Sequence, residues 1–323
     1  MSAEAGDYYA GDLQNQSSIQ SGHDVEPADP DRTDHSARRK QPLAPERVDS
    51  SELPKPFRME DGSVQSVEEA AETYLKVQKH NWNRDDVTSK HERHKKEIYT
   101  KIHQADRHFQ HEYDGLTTAM ITRRLSPLDE NGDWLTPWEC DELLHSEEVH
   151  SSFRRTLDYH LGSYDYEWIA VTAPTTSAGT PHEHIYIWID DPNNTIGVDH
   201  LSSALDKHLK YCDNAYSKDH EYRDDGSHGA ITYQHDPDQI GVTSIQFFTV
   251  EEQCPTYEKC GIAYRTTQGA QYLASQLAHL PIANFYDPDE ETPPQALFEG
   301  AALSWVTDHY WFRPSHGVPG LEH

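Results

Sequence analysis

The chain has 323 residues, 56 Asp and Glu against 27 Lys and Arg, a formal net charge of -29, and 35% hydrophobic residues. This length suits one large domain or two small ones with a buried core, and the composition excludes collagen-like, coiled-coil and disulfide-scaffold readings. No run approaches the roughly 18 consecutive apolar residues of a membrane span and no apolar stretch follows Met1 as in a secretory signal, so the expectation is a cytoplasmic protein with no membrane partner.

Residues 1 to about 60 are rich in Asp, Glu, Ser, Gln, Pro and Gly without apolar periodicity, which predicts a disordered acidic tail. The run Arg38-Arg39-Lys40 within it reads as solvated, with a phosphate-backbone contact as the alternative. A helical extension over 61–114 follows, with Val67, Ala70, Ala71, Tyr74 and Leu75 at helical spacing, continued by Ile98, Ile102 and Phe109. Its stretch from Lys79 to Arg107 is locally basic. Arg93, Lys95 and Lys96 are candidate DNA contacts there, and a solvated face of i,i+4 ion pairs is the competing reading.

The texture changes at Gly115. LTTAMITRRL (Leu116 to Leu125) reads as a strand. Trp134 to about Leu161 reads as a helix, with Thr136 as N-cap and Pro137 at the first helical position. YEWIAVT (Tyr166 to Thr172) and HEHIYIWI (His182 to Ile189) are strands joined by a Pro-bearing loop. Val198 to Tyr211 reads as a helix capped by Asp199. Ala230 to Tyr233 and Val242 to Val250 are β-prone. Gly269 to Leu280 is a helix ended by Pro281, and a last helix covers about Pro294 to Asp308. There is no Gly-rich nucleotide fingerprint. The fold class predicted is α+β, a central antiparallel sheet flanked by helices, occupying 115–323. Four cysteines, Cys140, Cys212, Cys254 and Cys260, suit neither a disulfide framework nor a zinc site, and fit a reducing compartment.

Two segments could carry chemistry. Side chains alternate along a strand, so His182 and His184 share one face with Tyr186 and Trp188, while Ile185, Ile187 and Ile189 take the other. Two imidazoles about 7 Å apart at Cα can chelate a divalent ion; among 22 histidines, two ordinary strand histidines are the alternative. In GAQYLASQL, Leu273 and Leu277 form a helical apolar stripe, with Tyr272 beside it and Gln276 one turn on. A tyrosine at the edge of the core is the plain reading of Tyr272.

The order of these segments resembles that of the HUH endonucleases, most closely the rolling-circle replication initiators of haloarchaeal plasmids and viruses. TTAMITRRLSP matches the place of their first motif, YEWIAVTAPTTSAGTPHEHIYIWID the strand and loop leading to the metal-binding histidines, and AQYLASQLAHL the tyrosine motif. The likeness covers roughly Gly115 to Val318. Glu183 stands where the family has a hydrophobe between the histidines, Ser275 where the tyrosine motif often has Lys, and Ala173 where some relatives place an acid. The resemblance implies an HUH nuclease (RRM-like) sheet, with Mn²⁺ or Mg²⁺ on His182, His184 and, as third ligand, Gln276. It implies Tyr272 as nucleophile, giving a 5′-phosphotyrosine and a free 3′-OH. Thr122, Arg123 and Arg124 would position single-stranded or extruded origin DNA, and host replication proteins would be further partners. Trp188, Trp305 and Trp311 could stack bases, with core packing as the alternative. A relaxase, a single-strand transposase and a catalytically degenerate DNA-binding module remain as other readings.

The acidity bears on this assignment. Acids spread along the chain, with little Lys, resemble the composition of a salt-loving organism. At molar salt the Debye length is only about 3 Å, so a charge of -29 opposes DNA binding less than it would in dilute buffer.

Overall fold

A computed structural model describes residues 35–82, 90–174, 180–217, 220, 230–235, 267–276, 302–303, 305–306 and 311–321. The expected strand at Val242 to Val250, the helix beyond Gln276, Cys254 and Cys260 lie outside the described residues. Residues 1–38 separate as a unit of their own, and residues 39–323 form a second, larger unit that holds the sheet and its helices.

Among the described residues this larger unit includes the helices α1 (Val67–Trp82), α2 (Lys90–Glu112), α3 (Pro137–His145), α4 (Glu147–Leu161), α5 (Val198–Tyr211) and α6 (Gln268–Gln276). The strands are β1 (Leu116–Arg123), β2 (Tyr166–Pro174), β3 (Pro181–Asp190), β4 (Ile231–His235) and β5 (Phe312–Pro314). The five strands form one sheet in the order β4-β1-β3-β2-β5, and every neighbouring pair is antiparallel. The α+β class and the antiparallel sheet therefore match the expectation. β5 has no counterpart among the predicted strands, because three residues are too few to show a period of two.

β3 is the centre of the sheet, and its alternation divides the core. Tyr186 and Trp188 pack on one face with Ile98, Ile102, Ala105 and Phe109 of α2 and Ala270, Leu273 and Ala274 of α6. Ile185, Ile187 and Ile189 pack on the other, under Phe153, Leu157 and Leu161 of α4 and Leu201, Ala204 and Leu205 of α5. Each large apolar side chain so buried contributes on the order of 1.5–3 kcal/mol. Both faces are covered, so β3 is apolar on both sides and reads as a near-continuous hydrophobic run.

The boundary expected at 114/115 is not a boundary in packing, since the second half of α2 is one of the helices that cover the sheet. At that point Gly115 lies against the turn after β3. Its amide donates to Asp190 Oδ1 at 3.1 Å, and a Cβ there would lie 2.2 Å from Pro192 Cα, so only glycine permits the approach.

Two further expectations are corrected. The helix from Trp134 to Leu161 is two helices. Thr136 caps α3 in a capping box with Glu139, as expected, but Ser146 then leaves the helical conformation and caps α4 through Val149 N–H. The N-cap of α5 is Gly197 rather than Asp199, with the Gly197 amide donating to His200 Nδ1 at 3.1 Å.

The predicted disorder does not hold for residues 43–57. Leu43, Ala44, Val48, Leu53 and Phe57 are buried in one cluster with Val67, Ala70, Ala71 and Tyr74 of α1 and with Ala302, Leu303 and Val306. Trp305 meets the rings of Phe57 and Tyr74 edge-on. These apolar residues sit on turns and on the short 3₁₀ segments Ser50–Glu52 and Lys55–Phe57, so they carry no helix or strand period. Arg39 of the basic run pairs with Glu68 at 2.8 Å instead of trailing in solvent.

Candidate functional site

The antiparallel register places His182 and His184 near the start of β3, on the face that α6 covers. His184 stands opposite Thr122 of β1 and Val171 of β2, and His182 opposite Ala173. The two rings lie 4.6 Å apart between centroids at 87°, and both side chains are buried. Thr122 Oγ1 lies 3.0 Å from His184 Nδ1. If His184 carries its proton on Nδ1 and donates it to Thr122, its lone pair is on Nε2, the arrangement in which imidazole binds a cation.

Tyr272 comes to the same place on α6. Ala270, Leu273 and Ala274 bury the inner side of that helix, while Tyr272 keeps 38% of its surface exposed. Its ring lies 5.1 Å from the ring of His184, at 84°. Burial pushes the Tyr272 hydroxyl above its ordinary pKa, and the Arg124 guanidinium pulls the other way. The histidine pair and the tyrosine therefore meet at one partly open position.

Two contacts hold α6 there. Gly269 lies against Tyr186, and a Cβ would fall 2.2 Å from the Tyr186 ring, so the helix approaches β3 more closely than any side chain would allow. Just before the helix, Thr267 accepts from Ala270 N–H as a cap and donates through N–H and Oγ1 to the buried carboxylate of Asp106, at 2.7 and 2.6 Å. Asp106 also accepts from Trp188 Nε1 at 2.7 Å and Gln110 Nε2 at 2.8 Å. Burial raises its pKa, and the donors from Thr267, Trp188 and Gln110 oppose that rise. Asp106 was not among the residues expected to act. Its signal is an acid set among Ile102, Ala105 and Phe109, on the apolar side of an otherwise basic helix.

The other expected residues divide. Thr122 faces His184 and is buried, with its hydroxyl against the imidazole. Arg123 is corrected outright. Strand alternation turns it to the opposite face of the sheet, where it is fully buried, donates to Glu183 Oε2 at 2.7 Å and lies over the Phe153 ring. Glu183 is part of a buried ionic group with Arg123 and Arg313. Arg124 is half-buried beside Tyr272. Its backbone is held on both sides, N–H to His220 Nε2 at 3.3 Å and carbonyl to His208 Nε2 at 2.8 Å.

Trp188 is a core residue, Trp305 is partly buried against the cluster of residues 43–57 and α1, and Trp311 packs against the α2–α6 side of the core. Gln276 is the last residue of α6, and Arg93, Lys95 and Lys96 lie in the first half of α2; these four side chains are outside the described residues.

The donor set fits a divalent ion in part. Two imidazoles on one rigid strand suit Mn²⁺ better than Mg²⁺, which prefers oxygen. Among the described residues no group of three or more His, Cys, Asp or Glu could hold a metal ion, so a third protein ligand is of another type or lies outside them. Among them, too, no helix is long and apolar enough to cross a membrane.

A family model described as "Putative rep protein (DUF1424)" matches residues 62–243, more than half of the chain. The matched segment contains β1 and the histidine pair and ends before Tyr272. No curated protein and no solved structure matches the chain.

Proposed function

The chain belongs to this family of Rep proteins, and from that premise we propose that it is a replication initiator of the HUH type. It nicks single-stranded or extruded origin DNA with Tyr272 as nucleophile and His182 and His184 as metal ligands. The observation that carries the reading is the 5.1 Å approach of the Tyr272 ring to His184, made by a helix from a distant part of the chain.

The phenol oxygen of Tyr272 attacks the scissile phosphorus, the P–O3′ bond breaks, and the 5′-phosphate stays on the tyrosine. The phenol proton passes to solvent and the departing 3′ oxygen gains one, leaving a 3′-OH for a polymerase. The exchanged bond is again a phosphate ester, so the DNA can be rejoined without ATP. Arg124, beside the hydroxyl, favours the phenolate and binds a phosphate of the strand. Thr122 orients His184. A divalent cation, Mn²⁺ or Mg²⁺, held by His182, His184 and, as third ligand, Gln276, supplies positive charge to the phosphate oxygens when bound. The basic part of α2, with Arg93, Lys95 and Lys96, guides the strand, and host replication proteins extend the 3′ end.

Single-stranded oligonucleotides incubated with Mn²⁺ in concentrated salt and run on a denaturing gel test the reading. The wild type gives a covalent band, and Tyr272→Phe gives none while still binding DNA. An adduct that persists in Tyr272→Phe removes the nucleophile assignment. Unchanged cleavage after His182→Ala with His184→Ala removes the ligand assignment. A shift in native gels with no covalent band in the wild type favours a noncatalytic DNA-binding module.

A further inference from the structure

Asp106 buries a carboxyl group beside the apolar cluster of Ile102, Ala105, Phe109, Trp188 and Ala270. Burying a carboxylate costs several kcal/mol unless donors compensate, and similar apolar packing would often be as stable. Here four donors from three elements reach its two oxygens: Gln110 on its own helix, Trp188 on β3, and the N–H and hydroxyl of Thr267 at the start of α6. When ionised, the carboxylate can accept from all four at once. Trp188 is on the strand, and the face, that carries His184. Thr267 caps the helix that carries Tyr272. The bonds from Asp106 to Thr267 and Trp188 therefore fix the start of that helix against β3.

We infer that Asp106 is the positioning residue of the nicking reaction: by tying Thr267 to Trp188 it sets the distance between the Tyr272 hydroxyl and the histidine pair. This inference rests on the function proposed above. It also makes α2 part of the catalytic architecture, since the carboxylate that aligns the nucleophile belongs to the helix whose first half is basic.

The test uses the full chain with Asp106→Asn, which keeps size and shape but turns an NH₂ donor toward donors. Adduct formation at saturating oligonucleotide falls about 100-fold, the loss expected for a misplacement on the order of 1 Å, while the DNA concentration for half-saturation and the Mn²⁺ affinity, read by electron paramagnetic resonance, stay at wild-type values. With 3-fluorotyrosine in place of Tyr272, the ¹⁹F relaxation caused by Mn²⁺ weakens in the Asp106→Asn background, because that effect falls steeply with distance. Wild-type adduct rates and ¹⁹F relaxation in Asp106→Asn overturn the inference, as does a rate loss matched by equal loss of Mn²⁺ affinity. Should Asp106→Asn not fold, Thr267→Val serves with the same readouts, and an unchanged rate there is equally fatal. If the wild type forms no adduct, the proposed function fails, and the ¹⁹F distance still decides whether Asp106 places Tyr272.

Discussion

Glu183 lies between the two site histidines in sequence, yet its carboxylate is on the far side of the sheet, paired with Arg123, and neither side chain has exposed surface. Arg313 of β5 takes its other oxygen. The ion group therefore ties β1, β3 and β5 together directly behind His182 and His184. Removing Arg123 leaves the buried Glu183 carboxylate with Arg313 alone and one oxygen without its ion-pair partner. Arg123→Leu is expected to cost about 3–5 kcal/mol, measured by urea denaturation, and Arg123→Leu with Glu183→Leu to recover part of that loss. Equal stability of Arg123→Leu and wild type would show that the pair is not desolvated.

Thr122→Val tests the support of His184. The hydroxyl lies 3.0 Å from Nδ1, and loss of such an outer partner lowers metal affinity by about 10- to 100-fold. Folding stability changes by only about 1 kcal/mol. Mn²⁺ titration beside a thermal melt separates the two effects.

Gly269→Ala tests the close approach of α6. The added methyl would lie 2.2 Å from Cε2 of Tyr186, a fully buried ring with no space to retreat. Overpacking of this kind costs about 1–3 kcal/mol. The helix moves outward, so adduct formation falls while Mn²⁺ binding by the histidines persists. A wild-type melting temperature and adduct rate would contradict the packing.

Stability depends on pH through buried neutral histidines. Burial pulls His103 down from 6.5 to about 4, and burial, with the Arg123 guanidinium, pulls His208 down to about 3. Below pH 6.5 the unfolded chain binds protons that the folded chain refuses, so these groups lower stability as pH falls from 6.5 toward their folded values. His103→Leu should flatten that decline between about pH 6.5 and 4, by on the order of 3 kcal/mol over the window. Urea melts of variant and wild type across that range at fixed salt measure the difference. Parallel curves would show that His103 does not resist protonation.

The order of residues along the chain was enough to specify most of the local elements and the shared face of the histidines, though not the break at Ser146 or the short strand β5. Alternation in HEHIYIWI, the Thr136-Pro137 cap and the stripe around Tyr272 depend only on neighbours within a turn or a strand, and such periods survive in any fold that uses them. Residues 43–57 carry no such signal because turn residues have no period, and the charge of Arg123 suggests solvent until its partner Glu183 is known. Only the assembled fold brings Tyr272 to His184, sets Glu183 against Arg123 and Arg313, and lets Asp106 join α2, β3 and α6. Those contacts join residues far apart in the chain, and their energy comes from removing charges and rings from water together, which no single segment encodes.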